Sequence, residues 1–377
     1  MVVTNACAPD PRVLRHAAWM VEAGYAVTVH AFDRDEQHPL SENFNGVRVM
    51  RYRVGRTPYG GTINTYRGIR KFQRMVIQTL AHDPPALVYC HDADTLRVGF
   101  ALHKTCNLPY VFDMHDLQHT WVRFAAPRSS FRAWVSQRMK RQMIRRAQQA
   151  SVILTSSASV LADGHLGFVE WLAQHNLAAA VVENRPLPPF ADPKSFDDNG
   201  WTVGSIGRVR DIKAMEHLLA SIRHLSPELR PKLRIAGDGV GVPQVEQLVL
   251  EAVEAGEVEA EVSGAYTAEE LPELLAEIDV MYAMYAPERG NIMDGALPVR
   301  MFDAAAQGIP SVVNNGCLMA DVVEVEALGA SAGWGDVEAT ALALLNCKDA
   351  VVELRANGER EHQRWLQAMQ PLLDALQ

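Results

Sequence analysis

Residues 203–222 have the sequence VGSIGRVRDIKAMEHLLASI, in which a short apolar run leads through a glycine turn into a helical pattern. Val203–Ile206 predicts a strand, Gly207 permits a sharp turn, and Met215–Ile222 carries apolar residues at helical spacing. The same order recurs along most of the chain, so that strand and helix patterns alternate. This alternation predicts parallel sheets covered by helices on both faces, an α/β fold.

The alternation occurs in two blocks, separated by a proline-rich segment. Residues 186–200 contain four prolines and little apolar periodicity, which is typical of a linker. We therefore predict two Rossmann-like, doubly wound domains facing a cleft, residues 1–185 and 201–377, with a last helix able to pack back on the first. Ligands of such folds bind at the carboxyl ends of the strands. The predicted strands are Val2–Val3, Val27–Phe32, Val47–Met50, Leu87–Cys90, Tyr110–Phe112, Val152–Leu154, Val203–Ile206, Leu233–Ala236, Val258–Val262, Val280–Met284 and Ser311–Val313.

The composition is that of a globular protein with a large core. Of 377 residues, 48% are hydrophobic and 21% are charged, which argues against disorder. No uncharged apolar run reaches the roughly 18 residues of a membrane-spanning helix, and the first residues lack the basic region of a signal peptide. The five cysteines have no metal-ligand spacing. We expect reduced thiols and a cytoplasmic protein.

The net charge of −9 is divided unequally along the chain. Residues 1–190 carry 22 Lys and Arg against 14 Asp and Glu, whereas residues 191–377 carry 14 against 31. The two halves therefore have net charges of +8 and −17. This asymmetry suggests that the two domains meet different partners.

Two cations flank the glycine turn with which the second block begins. Arg208 and Lys213 lie next to Gly207 at a predicted helix start, where backbone N–H groups are also available. A guanidinium, an ammonium and backbone donors together suit a diphosphate, although a solvated basic turn has the same pattern. Gly237 and Gly239 follow the next strand and form only part of a dinucleotide fingerprint.

Further polar residues surround a later helix of the second block. Glu288, Asn291 and Pro298 lie in one loop, and Arg300 follows them. Asp303 is predicted to open the helix, where its carboxylate can accept both hydroxyls of a ribose. An acid at a helix start also stabilises the helix dipole, which is the alternative interpretation.

In the first block, polar residues follow two predicted neighbouring strands. His115 follows one strand, where a histidine can donate a hydrogen bond to a substrate or have a structural role. Asp92 and Asp94 follow the other strand, next to His91, and could hold a divalent cation.

The basic excess of the first half is concentrated in one segment. Arg123–Arg146 contains eight cations and no acid. Apolar residues repeat in it every four positions, with Trp134 alongside: Phe131, Val135, Met139 and Met143. Such a helix can lie on an anionic membrane or pack its apolar stripe on the domain core, and we favour the packed stripe. Nucleic-acid binding is not predicted, because no recognised motif accompanies the charge.

Taken together, these motifs resemble those of glycosyltransferase family 4, the retaining group 1 transferases of GT-B fold, over nearly the whole chain. In the first block the similar stretches are Asp10–Val13, His91–Leu96, Phe112–Leu117 and Val182–Asn184. In the second block they are Gly207–Arg208 with Lys213, Ala236–Gly239, Gly264, Glu270–Leu271, Asp279–Val280, Gly295–Ala304 and Gly308–Pro310.

The resemblance implies that the second domain holds a nucleotide-diphosphate sugar. Arg208 and Lys213 would bind the diphosphate and stabilise the charge that develops on it. Arg300 would lie beside the phosphates, Asp303 would hold the ribose, and His115 would contact the donor sugar. The other donor-binding candidates are Gly207, Gly237, Gly239, Glu288, Asn291 and Pro298.

The resemblance also implies that the first domain holds the acceptor, which is a lipid-linked sugar, a glycan or a small alcohol. Asp10, Arg12 and His91 would act there or have structural roles. In retaining members the donor phosphate is thought to accept the acceptor's proton, so no cofactor, metal or protein base is implied. The expected activity is hexosyl or N-acetylhexosaminyl transfer in polysaccharide, glycolipid or glycoconjugate biosynthesis, in the cytoplasm or at the inner face of the membrane.

The sequence departs from the family pattern at the closing donor motif. The family usually has two glutamates eight residues apart, whereas this chain has Gly295 and Asp303. Glu288 or Asn291 could replace the missing group, and Arg300 stands where lysine is usual. These departures motivate an alternative function, a non-catalytic GT-B subunit that binds a nucleotide sugar or a partner enzyme.

Overall fold

A computed structural model of the protein describes residues 1–57, 63–124, 126–190, 200–288 and 290–377. The chain forms two compact units, each built around one sheet. Residues 191–199 of the predicted linker lie outside the described residues. The first domain comprises Met1–Ser156, Val169–Glu183 and His362–Gln377, and the second comprises Ser157–Phe168 and Asn184–Glu361.

The first domain contains an eight-stranded sheet in the order β3-β4-β2-β1-β5-β6-β7-β8. All neighbouring strands pair in parallel except β3, which is antiparallel to β4. In chain order the elements are β1 (Val2–Val3), α1 (Pro11–Glu22), β2 (Thr28–Phe32), β3 (Ser41–Phe44), β4 (Val47–Tyr52), α2 (Ile63–His82), β5 (Val88–His91), α3 (Leu96–Cys106), β6 (Tyr110–Met114), α4 (Gln118–Phe124), α5 (Ser130–Ala147), β7 (Val152–Thr155), α6 (Phe168–Ala173) and β8 (Ala180–Val181). The inner strands β5 and β6 are buried along their whole length, as expected for a parallel sheet covered on both faces.

Helix α1 begins and ends at residues suited to those positions. The Asp10 carboxylate accepts a hydrogen bond from the Val13 N–H at 3.2 Å and so caps the helix. Pro11 occupies the first turn, where its missing N–H costs nothing. Gly24, with φ +90°, follows the helix end. These signals hold α1 beside the carboxyl ends of the central strands.

The second domain contains a six-stranded, fully parallel sheet in the order β11-β10-β9-β12-β13-β14. Side chains of β12 alternate between two hydrophobic cores, Met281 and Ala283 in one and Val280 and Tyr282 in the other. Both faces of this sheet are therefore covered. The elements are β9 (Thr202–Ile206), α7 (Ile212–His224), β10 (Lys232–Ala236), α8 (Val242–Glu254), β11 (Ala260–Ser263), α9 (Leu271–Ala276), β12 (Val280–Ala283), α10 (Gly290–Met293), α11 (Val299–Ala306), β13 (Ser311–Asn314), α12 (Leu318–Val325), β14 (Gly329–Ala332) and α13 (Val337–Cys347).

The last helix, α14 (Gly358–Asp374), supplies part of the core of the first domain. Trp365 is fully buried there, with its ring 5.6 Å from that of Trp19. Its indole N–H donates to the Tyr89 hydroxyl at 3.3 Å. The C-terminal part of the chain is thus a structural component of the first domain.

The predicted strands are all present, with ends within two residues of the expected positions. The strands that were not predicted, β3, β8 and β14, lie at sheet edges. Their residues are largely half-buried or exposed. β3 has the polar sequence Ser-Glu-Asn-Phe, and β8 has only two residues. Residues 157–168, expected in the first domain, belong to the second, where the Asp321 carboxylate accepts the His165 backbone N–H at 2.6 Å.

The apolar stripe of α5 is packed only in part. Met143 is buried and Val135 is half-buried, but Phe131 and Met139 are exposed. Trp134 is 61% exposed, and its ring stacks on that of Phe131 with centroids 6.2 Å apart. The expectation that the whole stripe packs on the core is therefore wrong at Phe131 and Met139.

Trp365→Ala should destabilise the first domain by about 3–5 kcal/mol, because it opens a large cavity among packed rings. Denaturant-induced unfolding of the full chain measures this loss. Gln367→Ala, on the exposed face of the same helix, is the control and should change stability by less than about 0.5 kcal/mol. Equal effects of the two variants would contradict the role of Trp365 in the core.

Candidate functional site

The first domain gathers its polar residues around the buried Asp113, in β6. Arg12 Nε donates a hydrogen bond to Asp113 Oδ2 at 3.0 Å, and Arg12 Nη2 donates one to Asp113 Oδ1. His91 Nδ1 lies 3.1 Å and His115 Nε2 2.8 Å from the same Oδ2 atom. Because β5 and β6 are neighbours, residues at their carboxyl ends meet around one carboxylate.

The charges in this cluster are set by burial and by the ion pair. Burial opposes the ionised form of Asp113, but the Arg12 guanidinium and then the neighbouring histidines hold the pKa of its carboxyl well below the usual range. Burial lowers the pKa of His91 to about 4, although Asp113 opposes this shift. Asp113 is therefore an anion at neutral pH, whereas His91 is a neutral hydrogen-bonding partner.

His115 differs from His91 because it is both charged and partly accessible. Its side chain is 18% exposed, and its Nδ1 lies 3.5 Å from Asp92 Oδ2. Burial alone would lower the pKa of His115, but the charges of Asp92 and Asp113 outweigh burial and raise it to about 9. Burial raises the pKa of Asp92 to about 7. Between these values the pair is ionic, and the imidazolium can donate a hydrogen bond to a ligand.

The other predicted first-domain residues have local structural partners. Asp10 caps α1 and accepts a hydrogen bond from Asn5 Nδ2 at 2.7 Å. The Asp94 carboxylate accepts the Thr4 hydroxyl, whereas Asp92 faces His115. Asp92 and Asp94 thus engage different partners, and their arrangement gives no support to a shared divalent cation.

A different set of groups has the spacing of metal ligands. Donor atoms of His16, His91 and Asp113 lie within 4.8 Å of one another. Asp113 already carries the Arg12 ion pair, whose positive charge disfavours a second cation on the same carboxylate. We interpret the set as a hydrogen-bonded network that orients His115.

In the second domain, two glycine loops meet backbone to backbone at the carboxyl ends of β9 and β10. The Gly207 N–H donates to the Ala236 carbonyl at 2.9 Å. A Cβ on Gly237 would lie 1.8 Å from the Gly207 oxygen, and one on Gly239 would lie 2.1 Å from the Val209 oxygen. With φ near +146°, Gly237 and Gly239 also occupy a backbone region that favours glycine. The three predicted glycines therefore permit a close approach that side chains would block.

Three predicted cations lie on or next to these loops. The exposed Arg208 has Nε 3.7 Å from Asp238 Oδ1, and Arg300 Nη2 donates to the Arg208 carbonyl at 3.3 Å. Lys213 Nζ lies 2.8 Å from Glu288 Oε1, and this hydrogen bond raises the pKa of Lys213 and lowers that of Glu288. Arg208 and Arg300 are thus in contact, and Lys213 lies at the start of the helix that follows the Gly207 loop. Each cation has an acidic or carbonyl partner at the surface.

Asp303 does not open its helix, so that prediction is wrong. Helix α11 begins directly after Pro298, and Asp303 lies one turn inside it, half-buried. Burial raises the pKa of Tyr266, a residue that no motif indicated. The charges of Arg300, Asp303 and Asp238 act on the Tyr266 hydroxyl. Tyr266 therefore lies in one polar region with Asp238, Arg300 and Asp303.

The loop before α11 explains one departure from the family pattern. Asn291 is buried, and its carbonyl accepts the Ala296 N–H at 2.9 Å. Gly295 has φ +106°, and a Cβ there would lie 2.5 Å from the Leu166 carbonyl oxygen. Backbone of the 157–168 segment thus occupies the space that a side chain at position 295 would need.

Family models match both halves of the chain. Residues 8–164 match the "Glycosyl transferase 4-like domain" and residues 200–349 match "Glycosyl transferases group 1". Comparison with curated protein sequences gives no match. None of the helices in the described ranges combines the length and apolarity needed to cross a membrane.

Solved structures with the same fold are glycosyltransferases. Sucrose-phosphate synthase from Thermosynechococcus elongatus aligns with a TM-score of 0.70 at 14% identity, over 100% of this chain and 96% of its own. Anabaena HepE in complex with UDP-glucose aligns with a TM-score of 0.64 at 17% identity, over 100% and 98%. WaaG, a glycosyltransferase involved in lipopolysaccharide biosynthesis, aligns with a TM-score of 0.60 at 12% identity, over 99% and 94%.

Two parallel α/β domains with these neighbours define the GT-B class of glycosyltransferases. Within that class, the two matched domains place the chain in a family. It belongs to the group 1 glycosyltransferases, enzymes that transfer sugars from nucleotide sugars.

Asp92→Asn should lower the pKa of His115 from about 9, because it removes the negative charge that raises this pKa most. Histidine NMR titration measures this shift. The charged His115 stabilises the fold below about pH 6.5, and this contribution is lost as the pH rises through about 9.

Asp116→Asn is the matched control. Its carboxylate accepts the Trp121 indole N–H at 2.9 Å, so the pKa of His115 should stay closer to 9 in this variant. An unchanged His115 pKa in Asp92→Asn would contradict the ion pair.

Proposed function

We propose that the protein is a retaining, metal-independent glycosyltransferase that moves a hexosyl or N-acetylhexosaminyl group from a nucleotide-diphosphate sugar to an acceptor hydroxyl. The observation that carries this proposal is the grouping of Arg208, Lys213 and Arg300 around two close-packed glycine loops. The grouping lies in the half of the chain with net charge −17. An anion there requires local cations, and these three lie on or next to the glycine loops.

A diphosphate can replace the acidic partners that Arg208 and Lys213 now have, Asp238 and Glu288. Lys213 and Glu288 are 62% and 46% exposed, and Arg208 and Asp238 are similarly open. Exposed ion pairs contribute little to stability, since solvent screens them. A diphosphate offers Arg208 and Lys213 a doubly charged acceptor in exchange, and Glu288 is freed for other contacts. We propose that this exchange accompanies donor binding.

The nucleoside end of the donor is assigned to the polar region of α11. Asp303 and the Tyr266 hydroxyl lie within electrostatic reach of each other, and both can bond to ribose hydroxyls. Arg300, whose guanidinium lies 5.5 Å from the Tyr285 ring centroid, would contact a phosphate oxygen. The Asp303 side chain is shorter than the glutamate usual in the family, and the Tyr266 hydroxyl would add a second contact to the ribose.

The reaction needs charge stabilisation on the leaving diphosphate and orientation of the sugar. Arg208 and Lys213 would stabilise the negative charge that grows on the diphosphate as the glycosidic bond breaks. His115, held as an imidazolium, would donate to a sugar hydroxyl. The acceptor proton would pass to the donor phosphate, so that the chain supplies no general base.

Arg208→Ala and Lys213→Ala should each lower the transfer rate about 10²–10³-fold and weaken nucleotide binding, because each removes a cation from the diphosphate. A thermal-shift screen of nucleotide sugars first identifies the donor, since a ligand that binds the folded state raises its stability. Arg223→Ala is the control. Arg223 lies on α7, the helix that also carries Lys213, and it pairs with Glu257 at 2.6 Å. The transfer rate and nucleotide binding should both be unchanged in this variant.

The same assay separates this function from the alternatives. Nucleotide-sugar binding without turnover over a broad acceptor panel would favour the non-catalytic subunit. The rate should be unchanged in chelator, because the proposed mechanism uses cationic side chains. A rate that falls in chelator and returns with a divalent cation would refute metal independence.

We further propose that α5 contacts an anionic membrane surface, at the inner face of the cytoplasmic membrane, where a lipid-linked acceptor would be available. The support is the stacked and exposed pair Phe131 and Trp134 beside the cations of Arg123–Arg146. Aromatic rings can enter the interface while arginines bind lipid headgroups. Glycolipid or polysaccharide synthesis is then the expected context.

Trp134→Asp should abolish flotation with anionic liposomes, because it places a charge where a ring would insert. Wild-type binding should weaken as salt screens the headgroups. Leu250→Asp, at a half-exposed apolar position on α8 of the other domain, should float like the wild type. Undiminished flotation of Trp134→Asp would show that α5 is not the contact.

A further inference from the structure

A cavity of about 160 Å³ lies in the first domain, at the carboxyl ends of β5 and β6. Asp94, from the loop after β5, and Gln118, the first residue of α4, line one part of it. Helices α2, α3 and α5 contribute one arginine each: Arg70, Arg97 and Arg146. Three cations from separate helices thus converge on one small space.

The three arginines outnumber the one acid that lines the cavity, Asp94. Among the described residues, none of the three forms an ion pair, and Arg97 Nη1 contacts only the Gln73 amide oxygen, at 3.4 Å. Burial, followed by the charge of Arg70, lowers the pKa of both Arg97 and Arg146. An anion in the cavity would relieve this repulsion.

The polar groups between the arginines also suit an oxyanion. Gln118 Oε1 accepts a hydrogen bond from the Asp94 backbone N–H at 3.1 Å. The side-chain amide nitrogen of Gln118 can then donate to a ligand. Asp94 Oδ2 accepts the Thr4 hydroxyl, and its buried Oδ1 has no partner among the described residues. Burial raises the pKa of Asp94 above its usual value.

We propose that this cavity binds a phosphate ester of the acceptor, held by Arg70, Arg97 and Arg146. Its volume of about 160 Å³ lies below the roughly 300–1,000 Å³ of pockets for drug-sized ligands, so it suits one phosphate group and not a whole nucleotide sugar. The inference rests on the proposed function, in which the first domain holds the acceptor. Gln118 follows His115 by three residues, so the phosphate would anchor the acceptor near the imidazolium.

Calorimetric titration of inorganic phosphate into the full chain tests the site. All proteins carry Arg208→Ala, which weakens the competing donor site. Arg97→Gln should bind phosphate at least tenfold more weakly than this background. Arg74→Gln is the matched control, because Arg74 lies on α2 and is exposed but does not line the cavity; its affinity should change less than twofold. Equal binding by Arg97→Gln and the background, or an equal loss in Arg74→Gln, overturns the proposal.

Arg70→Gln provides a second variant and should show the same loss if Arg97→Gln does not fold. Competition then identifies the source of the phosphate. Displacement by a hexose phosphate supports a soluble acceptor, and displacement only by a polyprenyl phosphate in detergent supports a lipid-linked one. If neither competes, the site holds an adventitious ion only and the proposal fails. Nucleotide binding is measured separately on the wild type, so failure of the donor site is distinguishable from failure of this one.

Discussion

The buried ion pair between Arg12 and Asp113 is the contact on which the polar cluster of the first domain depends. Arg12 also donates to the Val182 carbonyl at 2.6 Å, so one guanidinium joins α1, β6 and the chain after β8. Removing two charges from water costs several kcal/mol per ion, which the bidentate contact and surrounding hydrogen bonds must offset. Because Asp113 stays ionised, it helps to keep His115 charged, whereas burial keeps His91 neutral although His91 contacts the same oxygen atom.

The proposed donor site of the second domain differs, because its cations must exchange their present partners for the ligand. Its fixed part is backbone: the oxygen of Gly207 lies against Gly237, and no side chain intervenes. Its cations stand at the surface with partners such as Asp238 and Glu288, which compete for them only weakly. The first domain thus presents a preorganised charge, whereas the second presents cations that are free to exchange partners.

Sequence patterns predicted features that have a short-range physical cause. The central strands are apolar runs, and Gly207 and Gly237 each directly follow such a run, where the chain must turn. Edge strands such as β3 lack such runs, since one side of them faces solvent. Tyr266 was missed because its role arises from residues distant in sequence, and Asp303 was misplaced because the helix begins at Val299. The period of α5 indicated an apolar face, but not that Phe131 and Trp134 remain uncovered.

The contact between Gly295 and the Leu166 carbonyl constrains how this chain can change over evolutionary time. A glutamate at position 295, usual in the related transferases, would need both a new backbone conformation and displacement of the 157–168 segment. That segment is itself held by His165 and Asp321. A single codon change therefore meets a steric barrier, and reversion requires a permissive change elsewhere to come first.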